Sequence, residues 1–274
     1  MFKFKTQKHT MDGYVPTPED NRLSQELVKL PENIVICIDI SDEMDSEFKT
    51  RDSTYTRWEV VKEGVKAFIL RKASFNRKHR FGFCTLGNEA AWVLPFTDDL
   101  DLIMATLESL TIEKNCSRSF DFSNLLASFA ENLRAEGETN AASSNPSTIY
   151  RAVIIYGRSY EQPSISLTES QTALMDAPGY FLDLLYIHKK ASEAKVKCQE
   201  IYDTLTQLES QSPTKHGYFF ETSTSIQRLY MHLTMLLAHP AQRNLQEEFV
   251  NKVLYQGPNE ASSSNVVEDK RNES

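Results

Sequence analysis

Asn33-Ile34-Val35-Ile36-Cys37-Ile38-Asp39-Ile40-Ser41-Asp42-Glu43 is the stretch that decides the fold. From Ile34 to Ile38 its apolar residues run without alternation. A strand exposed on one face alternates apolar with polar residues. An unbroken run belongs to a strand buried on both faces, and such strands sit centrally in parallel sheets covered by helices. The run stops at Asp39-Ile40-Ser41-Asp42-Glu43, a cluster of oxygen-bearing side chains at the carboxyl end of the strand. Open α/β sheets bind ligands at that edge.

Upstream, residues 1–30 carry Lys3, Lys5, Lys8, Pro16 and Pro18 among few apolar side chains. They read as an extended N-terminal arm that can hold a short helix near Asn21–Leu30. Downstream, a polar linker over 44–55 leads to a helix over 57–74. Thr56 and Glu59 form its capping box, and Val61, Val65, Phe68 and Ile69 lie on one face. Arg80–Leu86 and Ala90–Leu94 flank a Gly87-Asn88 turn and predict an antiparallel hairpin. Helices follow over 97–109, capped by Thr97, and over 122–136. Gly137–Thr148 is a surface loop by composition. Strands are predicted at Ile149–Tyr156, Tyr180–Ile187 and Tyr218–Glu221, with helices at 168–176, 192–209 and 225–238. Pro240 stops the last helix. From Gln256 the chain is polar and reads as a disordered tail. Strands alternating with helices mean a mostly parallel sheet with one antiparallel edge strand and helices on both faces.

The 274 residues suit one large core plus tails. A net charge of −8 argues against general nucleic-acid binding, which needs a basic surface. Cys37, Cys84, Cys116 and Cys198 stand far apart, with no Cys-x-x-Cys, as expected of free thiols in a reducing compartment. No apolar run approaches the roughly 20 residues of a membrane span, and the first residues have no signal-peptide core. Neither Gly-x-Ser-x-Gly, His-Glu-x-x-His nor a Walker loop occurs, and no His-x-His pair is present, so no catalytic residue is assigned. The basic run Arg71-Lys72 and Arg77-Lys78-His79-Arg80 reads as a solvated helix-to-strand turn.

Asp39-x-Ser41-x-Glu43 resembles the opening of the metal-ion-dependent adhesion site of von Willebrand factor A domains, with Glu43 in place of a second serine. The element order from Asn33 to about Ala238 is also similar to those domains. The resembled site adds a Thr from a second loop and an Asp after the fourth strand. Here the second loop, Asn115-Cys-Ser-Arg-Ser-Phe-Asp-Phe, has no Thr, and Tyr156-Gly157-Arg158-Ser159 has no Asp. Magnesium needs near-octahedral oxygen ligands, so Asp39, Ser41 and Glu43 are expected to be a degenerate remnant holding no metal. Arg118 is expected near the cation position, and an arginine close to the carboxylates could replace the metal's charge.

Four stretches together resemble one family: Ile34–Met44, Ala90-Ala-Trp, Ser166-Leu-Thr-Glu with Tyr180–His188, and Leu236-Leu-Ala-His-Pro-Ala-Gln-Arg. They are similar to the BABAM or MERIT family, the von Willebrand A-like scaffold subunit of the BRISC and BRCA-A deubiquitinase assemblies. The resemblance implies a non-catalytic subunit without cofactor, found in cytoplasm and nucleus. It implies binding to the ubiquitin-conjugating-enzyme-variant subunit called BRE and, through it, to a JAMM-type zinc isopeptidase and its scaffold. That isopeptidase is specific for open, non-degradative lysine-linked ubiquitin chains. Two other readings are a metal-dependent ligand-binding A domain and an A-domain scaffold of another intracellular complex, proteasomal or of a transcription or repair helicase.

The expected organisation is an arm over 1–30, an A-like domain over 31–240, and a partner-binding segment with tail over 241–274. His239, Pro240, Gln242 and Arg243 are expected to form the partner contact. Pro240 would make the chain emerge extended, and Arg243 would offer a planar cation to a carboxylate.

Overall fold

A computed structural model describes residues 17–49, 53–135, 146–190, 192, 197–210, 212, 215, 217–243 and 246. The first part of the expected arm, most of the 137–148 loop and the tail from Gln256 lie outside them. A six-stranded sheet organises the rest. Its strands are β1 (Glu32–Asp39), β4 (Arg80–Leu86), β5 (Ala90–Thr97), β6 (Ile149–Tyr156), β7 (Tyr180–Ile187) and β8 (Phe219–Thr222). They lie in the order β5-β4-β1-β6-β7-β8. All neighbours pair parallel except β4 and β5.

Every residue of β1, β6 and β7 is buried, as the unbroken apolar runs require. One face carries Val35, Cys37, Ala152, Ile154, Leu182 and Leu184. They pack on α4 (Phe122–Ala135), α5 (Glu169–Asp176) and α6 (Cys198–Leu205). By strand alternation Ile34, Ile36 and Ile38 point to the opposite face. There α2 (Arg57–Phe75) contacts α7 (Ile226–Met235) and α3 (Leu100–Ser109). Gly64 lets α2 and α7 approach, since a Cβ there would come within 2.5 Å of Leu233 Cδ1. Each such buried aliphatic or aromatic side chain stabilises by about 1.5–3 kcal/mol, against about 1 kcal/mol for a helix cap. The two-sided core therefore dominates the choice of fold.

Several boundaries differ from the sequence reading. Part of the expected arm is helical: Pro18 is the first residue of α1 (Pro18–Leu27), and Thr17 and Asp20 form its capping box. Leu23, Leu27 and Leu30 pack with Ile149, Phe181 and Ala241. The polar linker contains a 3-10 turn at Asp42–Asp45 and a small antiparallel pair, β2 (Glu47–Lys49) with β3 (Thr54–Thr56). β5 runs on to Thr97, which pairs with Phe81, so Asp99 rather than Thr97 caps α3. In the expected 192–209 helix, α6 spans only Cys198–Leu205 and a 3-10 turn follows over Thr206–Leu208. Cys198, Ile201, Tyr202 and Leu205 of α6 are buried.

Candidate functional site

β1 has β4 on one side and β6 on the other, so the chain leaves it in opposite directions and a crevice opens at its carboxyl end. Asp39 lies in that crevice and is fully buried. Its Oδ1 accepts from the backbone N–H of Ser41 at 3.0 Å, and its Oδ2 from that of Gly157 at 2.9 Å. Gly157 permits this approach: a Cβ would sit 2.4 Å from Met44 Sδ and 3.4 Å from Asp39 Oδ2.

Arg158 fills the rest of the crevice and has no exposed surface. Its Nε and Nη2 donate to Asp39 Oδ1, each at 3.2 Å. Nη1 donates to the carbonyls of Ser117 at 2.8 Å and Ser119 at 2.6 Å. Nη2 also donates to the carbonyls of Leu86 at 2.8 Å and Gly87 at 2.6 Å. The guanidinium lies over the rings of Phe120 and Tyr156, at 5.4 and 5.9 Å. One planar cation thus ties together the end of β1, the β4–β5 turn and the loop before α4. Arg118, expected near this position, instead stacks over Tyr160 at 5.6 Å. The crevice itself is already filled by Arg158.

Glu43 turns to the backbone: its two carboxylate oxygens accept from Ser159 N–H at 3.1 and 3.0 Å. Burial raises its pKa, against the lowering effect of those hydrogen bonds and of Arg57. Arg57 Nη1 donates to the Gly157 and Ile187 carbonyls at 3.1 and 3.3 Å. Ser41 Oγ is buried and has no hydrogen-bond partner among the described residues. This donor set does not fit a bound divalent cation. The chain lacks the Thr and the second Asp, and a guanidinium already sits on the one carboxylate oxygen that would lead the coordination.

The opposite edge of the sheet holds a second charged cluster. Arg151 of β6 and Asp183 of β7 are fully buried, and Arg151 Nε donates to Asp183 Oδ2 at 2.7 Å. Arg151 Nη1 reaches Glu32 Oε2 at 3.0 Å, and Lys72 bonds the other oxygen of Glu32. Arg243 pairs with Asp183 Oδ1, which also accepts from Tyr218 N–H at 2.8 Å. The three cations converge on the end of α7. Arg151 donates to the Leu236 carbonyl at 2.6 Å, Lys72 to that of Leu237 at 3.3 Å, and Arg243 to that of Ala238 at 3.3 Å. Leu236 caps α7 and its carbonyl has no partner within the helix, and the negative dipole end lies there, so an excess of cations over carboxylates is favoured at this place. Burial pushes the Glu32 carboxyl up, but Arg151 and Lys72 outweigh it and hold the group at about 2. Burial lowers Lys72 to about 8. Asp183 is pushed up by burial and ends below its usual range because of Arg243 and Arg151.

These facts revise the picture of the C-terminal segment. Pro240 does not send the chain out extended, because it opens a 3-10 turn over Pro240–Gln242 with His239 as its cap. α7 has already ended at Met235, before the proline. Arg243 is buried against Asp183 and is not a cation held out to solvent. Pro240 is also buried, His239 half-buried and Gln242 exposed. Ser24 Oγ of α1 donates to the Ala241 carbonyl at 2.6 Å, so both ends of the described chain meet here. Lys72 and His79, read from sequence as part of a solvated turn, are buried: His79 Nδ1 accepts from Glu32 N–H at 2.9 Å. Sequence reasoning missed Glu32, Arg151 and Asp183. The signal was present, since Arg151 and Asp183 are opposite charges inside apolar runs of neighbouring strands.

Comparison with known proteins follows the same lines. Residues 34–155 match the family model of the von Willebrand factor type A domain. A protein of Xenopus tropicalis called BRISC and BRCA1-A complex member 1 is 27% identical over 244 residues, 87% of this chain and 75% of that protein. Its Homo sapiens namesake is 25% identical over 237 residues, 84% of this chain and 70% of the other. Among solved structures, the SpRpn10 VWA domain superposes with a TM-score of 0.51 at 17% identity, over 79% of this chain and 98% of that domain. A variant of the PilB minor pilin of Streptococcus sanguinis gives 0.50 at 10% identity, over 76% of this chain and 61% of the pilin. The two structures speak for the fold alone. The chain therefore carries a von Willebrand factor type A fold and is a homologue of the proteins called BRISC and BRCA1-A complex member 1.

Proposed function

We propose that this chain is a non-catalytic scaffold subunit of a deubiquitinase assembly specific for open, non-degradative lysine-linked ubiquitin chains, working in cytoplasm and nucleus. In this reading it binds a BRE-type ubiquitin-conjugating-enzyme-variant subunit and, through it, joins a JAMM-type zinc isopeptidase and its scaffold. The observation that carries the reading is the similarity, over 87% of the chain, to a protein named as a member of such complexes. Two of the resembling stretches, Tyr180–His188 and Leu236–Arg243, are also the two that interlock through Asp183 and Arg243.

The contact is proposed at His239–Arg243, with its parts divided. Pro240 and Arg243 fix the shape of the turn from inside, His239 caps it, and Gln242 faces the partner. A turn already ordered by buried ion pairs loses little conformational freedom on docking, which favours affinity. The reading as a metal-dependent ligand-binding domain is weakened by Arg158, which closes the crevice such a ligand would enter.

The test is capture of a BRE-type subunit by the full chain after co-expression, followed by size-exclusion chromatography. Wild type is expected to co-elute with it as a stoichiometric complex. Gln242→Glu, which leaves the His239 cap, Arg243 and its pair intact, is expected to lose most of the capture while keeping the wild-type melting transition. Full capture by that folded variant moves the contact to another surface. No capture by wild type defeats the assembly itself.

A further inference from the structure

We propose that Tyr55, Tyr230 and Glu63 form a docking surface for an arginine-bearing basic segment of a partner protein. Tyr55 lies on β3 and Tyr230 on α7, and both elements contact α2, which carries Glu63. Tyr230 is laid against α2: a Cβ at Gly64 would sit 3.1 Å from its Cε1 and 3.3 Å from its Cδ1. Both rings reach solvent, Tyr55 being 45% exposed and Tyr230 39%. Burial, then the Glu63 carboxylate, then Tyr55 raise the pKa of the Tyr230 phenol, as neighbouring groups do. Glu63 is exposed and has no ion-pair partner among the described residues. The cations near it in the chain are engaged elsewhere. Lys62 lies over the Trp58 ring at 5.7 Å, donates to the Glu108 carbonyl at 2.9 Å and meets the Glu108 carboxylate at 3.4 Å. Lys66 meets the same carboxylate at 3.7 Å. On α7, Arg228 turns to Glu221 at 3.9 Å.

Charge and ring chemistry select the occupant. Tyrosine rings present electron-rich faces that attract a cation placed over them, and Glu63 adds a full negative charge beside them. An apolar helix seated here would take the Glu63 carboxylate out of water without a counter-charge. An acidic segment would be repelled by it. A guanidinium answers both features, because its plane stacks on a ring while its N–H fork meets a carboxylate. A lysine ammonium supplies the charge without the stacking plane. Tyrosine and arginine are also the residues that most often dominate the energy of protein interfaces. The Tyr230 ring is already held by its packing on α2, so it loses little freedom when a partner docks. This surface shares no residue with the contact proposed at His239–Arg243.

The experiment titrates the full chain, with its tyrosine rings isotopically labelled, against a synthetic heptapeptide of glycine and serine carrying two arginines. Two counterparts carry lysine or glutamine in the arginine positions. Ring signals are followed by NMR, those of Tyr55 and Tyr230 being assigned with Tyr55→Phe and Tyr230→Phe, and affinity is read by fluorescence anisotropy. The arginine peptide is expected to move the Tyr55 and Tyr230 signals more than those of the other tyrosines. The lysine peptide should bind more weakly and the glutamine peptide not at all. Tyr55→Ala and Glu63→Gln, both at exposed positions, should each weaken the arginine peptide about two- to five-fold while keeping the wild-type melting transition. Glu131→Gln removes an exposed charge from α4, on the opposite face of the sheet, and should leave the affinity unchanged. Absence of binding to wild type overturns the proposal, as does equal binding of the glutamine peptide. An equal loss in Glu63→Gln and Glu131→Gln also overturns it, because general acidity would then account for the binding. Signals that move chiefly at other tyrosines place the peptide elsewhere and overturn it too. The BRE-type subunit takes no part in this measurement, so its outcome is independent of the assembly proposed above.

Discussion

At the residue scale, the buried charges carry more meaning than the exposed ones. Asp183 is the hinge of the lower cluster, because Arg151, Arg243 and the Tyr218 N–H all converge on it without solvent. Removing one member of a buried pair leaves the others charged and unpaired, at a cost of about 3–5 kcal/mol. Asp183→Asn keeps the shape and removes the charge that two guanidinium groups face. The expected result is a fall in urea midpoint equivalent to about 3 kcal/mol or more at neutral pH. Amide exchange over residues 236–243 should rise further than in β1, since the turn loses its anchor through Arg243. An unchanged midpoint, or exchange that rises uniformly, would show that Asp183 does not organise this segment. Asp39 occupies the matching position at the other edge, where its one carboxylate is likewise satisfied on both oxygens.

At the element scale, the sequence was most legible where local and long-range signals agreed. The apolar run Ile34–Ile38 gave a fully buried central strand, and Thr56 with Glu59 gave the start of α2. The capping box is present in both directions: Glu59 N–H donates to Thr56 Oγ1 at 3.1 Å and Thr56 N–H to Glu59 Oε2 at 2.7 Å. Thr56→Ala removes the cap acceptor, so a loss of about 1 kcal/mol in chemical denaturation is expected. No change would mean that the ordering of α2 rests on its packing alone. Boundaries were illegible where tertiary pairing outweighed a local cap. Thr97 is a good cap residue, yet pairing with Phe81 holds it in β5 and passes the role to Asp99. Pro240 is a good helix stop, yet α7 ends at Met235, where Arg151 holds the Leu236 carbonyl and Lys72 and Arg243 hold the two carbonyls that follow. The cation in the upper crevice could be anticipated as an arginine, but the sequence put Arg118 there and the structure puts Arg158, because loop spacing does not say which side chain turns inward.

At the scale of the whole molecule, the lower cluster couples stability to pH. Glu32 titrates at about 2 in the folded chain, against 4.5 for the free group, because Arg151 and Lys72 hold it ionised despite burial. A carboxyl whose folded pKa is depressed binds fewer protons folded than unfolded. Its contribution is therefore complete above about pH 4.5 and is lost as pH falls from there towards 2. A shift of that size corresponds to about 3 kcal/mol, at about 1.4 kcal/mol per unit. Asp183 is depressed by the same kind of neighbour and adds in the same direction. Because both groups help to fasten the end of α7 and the turn after it, protonation should loosen that corner with the global fall in stability. The expected outcome is a urea midpoint that already declines below about pH 6.5, because His232 and His239, which burial holds at about 4, take up protons on unfolding, and that falls more steeply below about 4.5. Glu32→Gln should start from a lower midpoint at neutral pH and show a shallower acid limb, since the group responsible for part of the slope is gone. Parallel acid limbs in the two proteins would place the proton uptake elsewhere and remove Glu32 from the account.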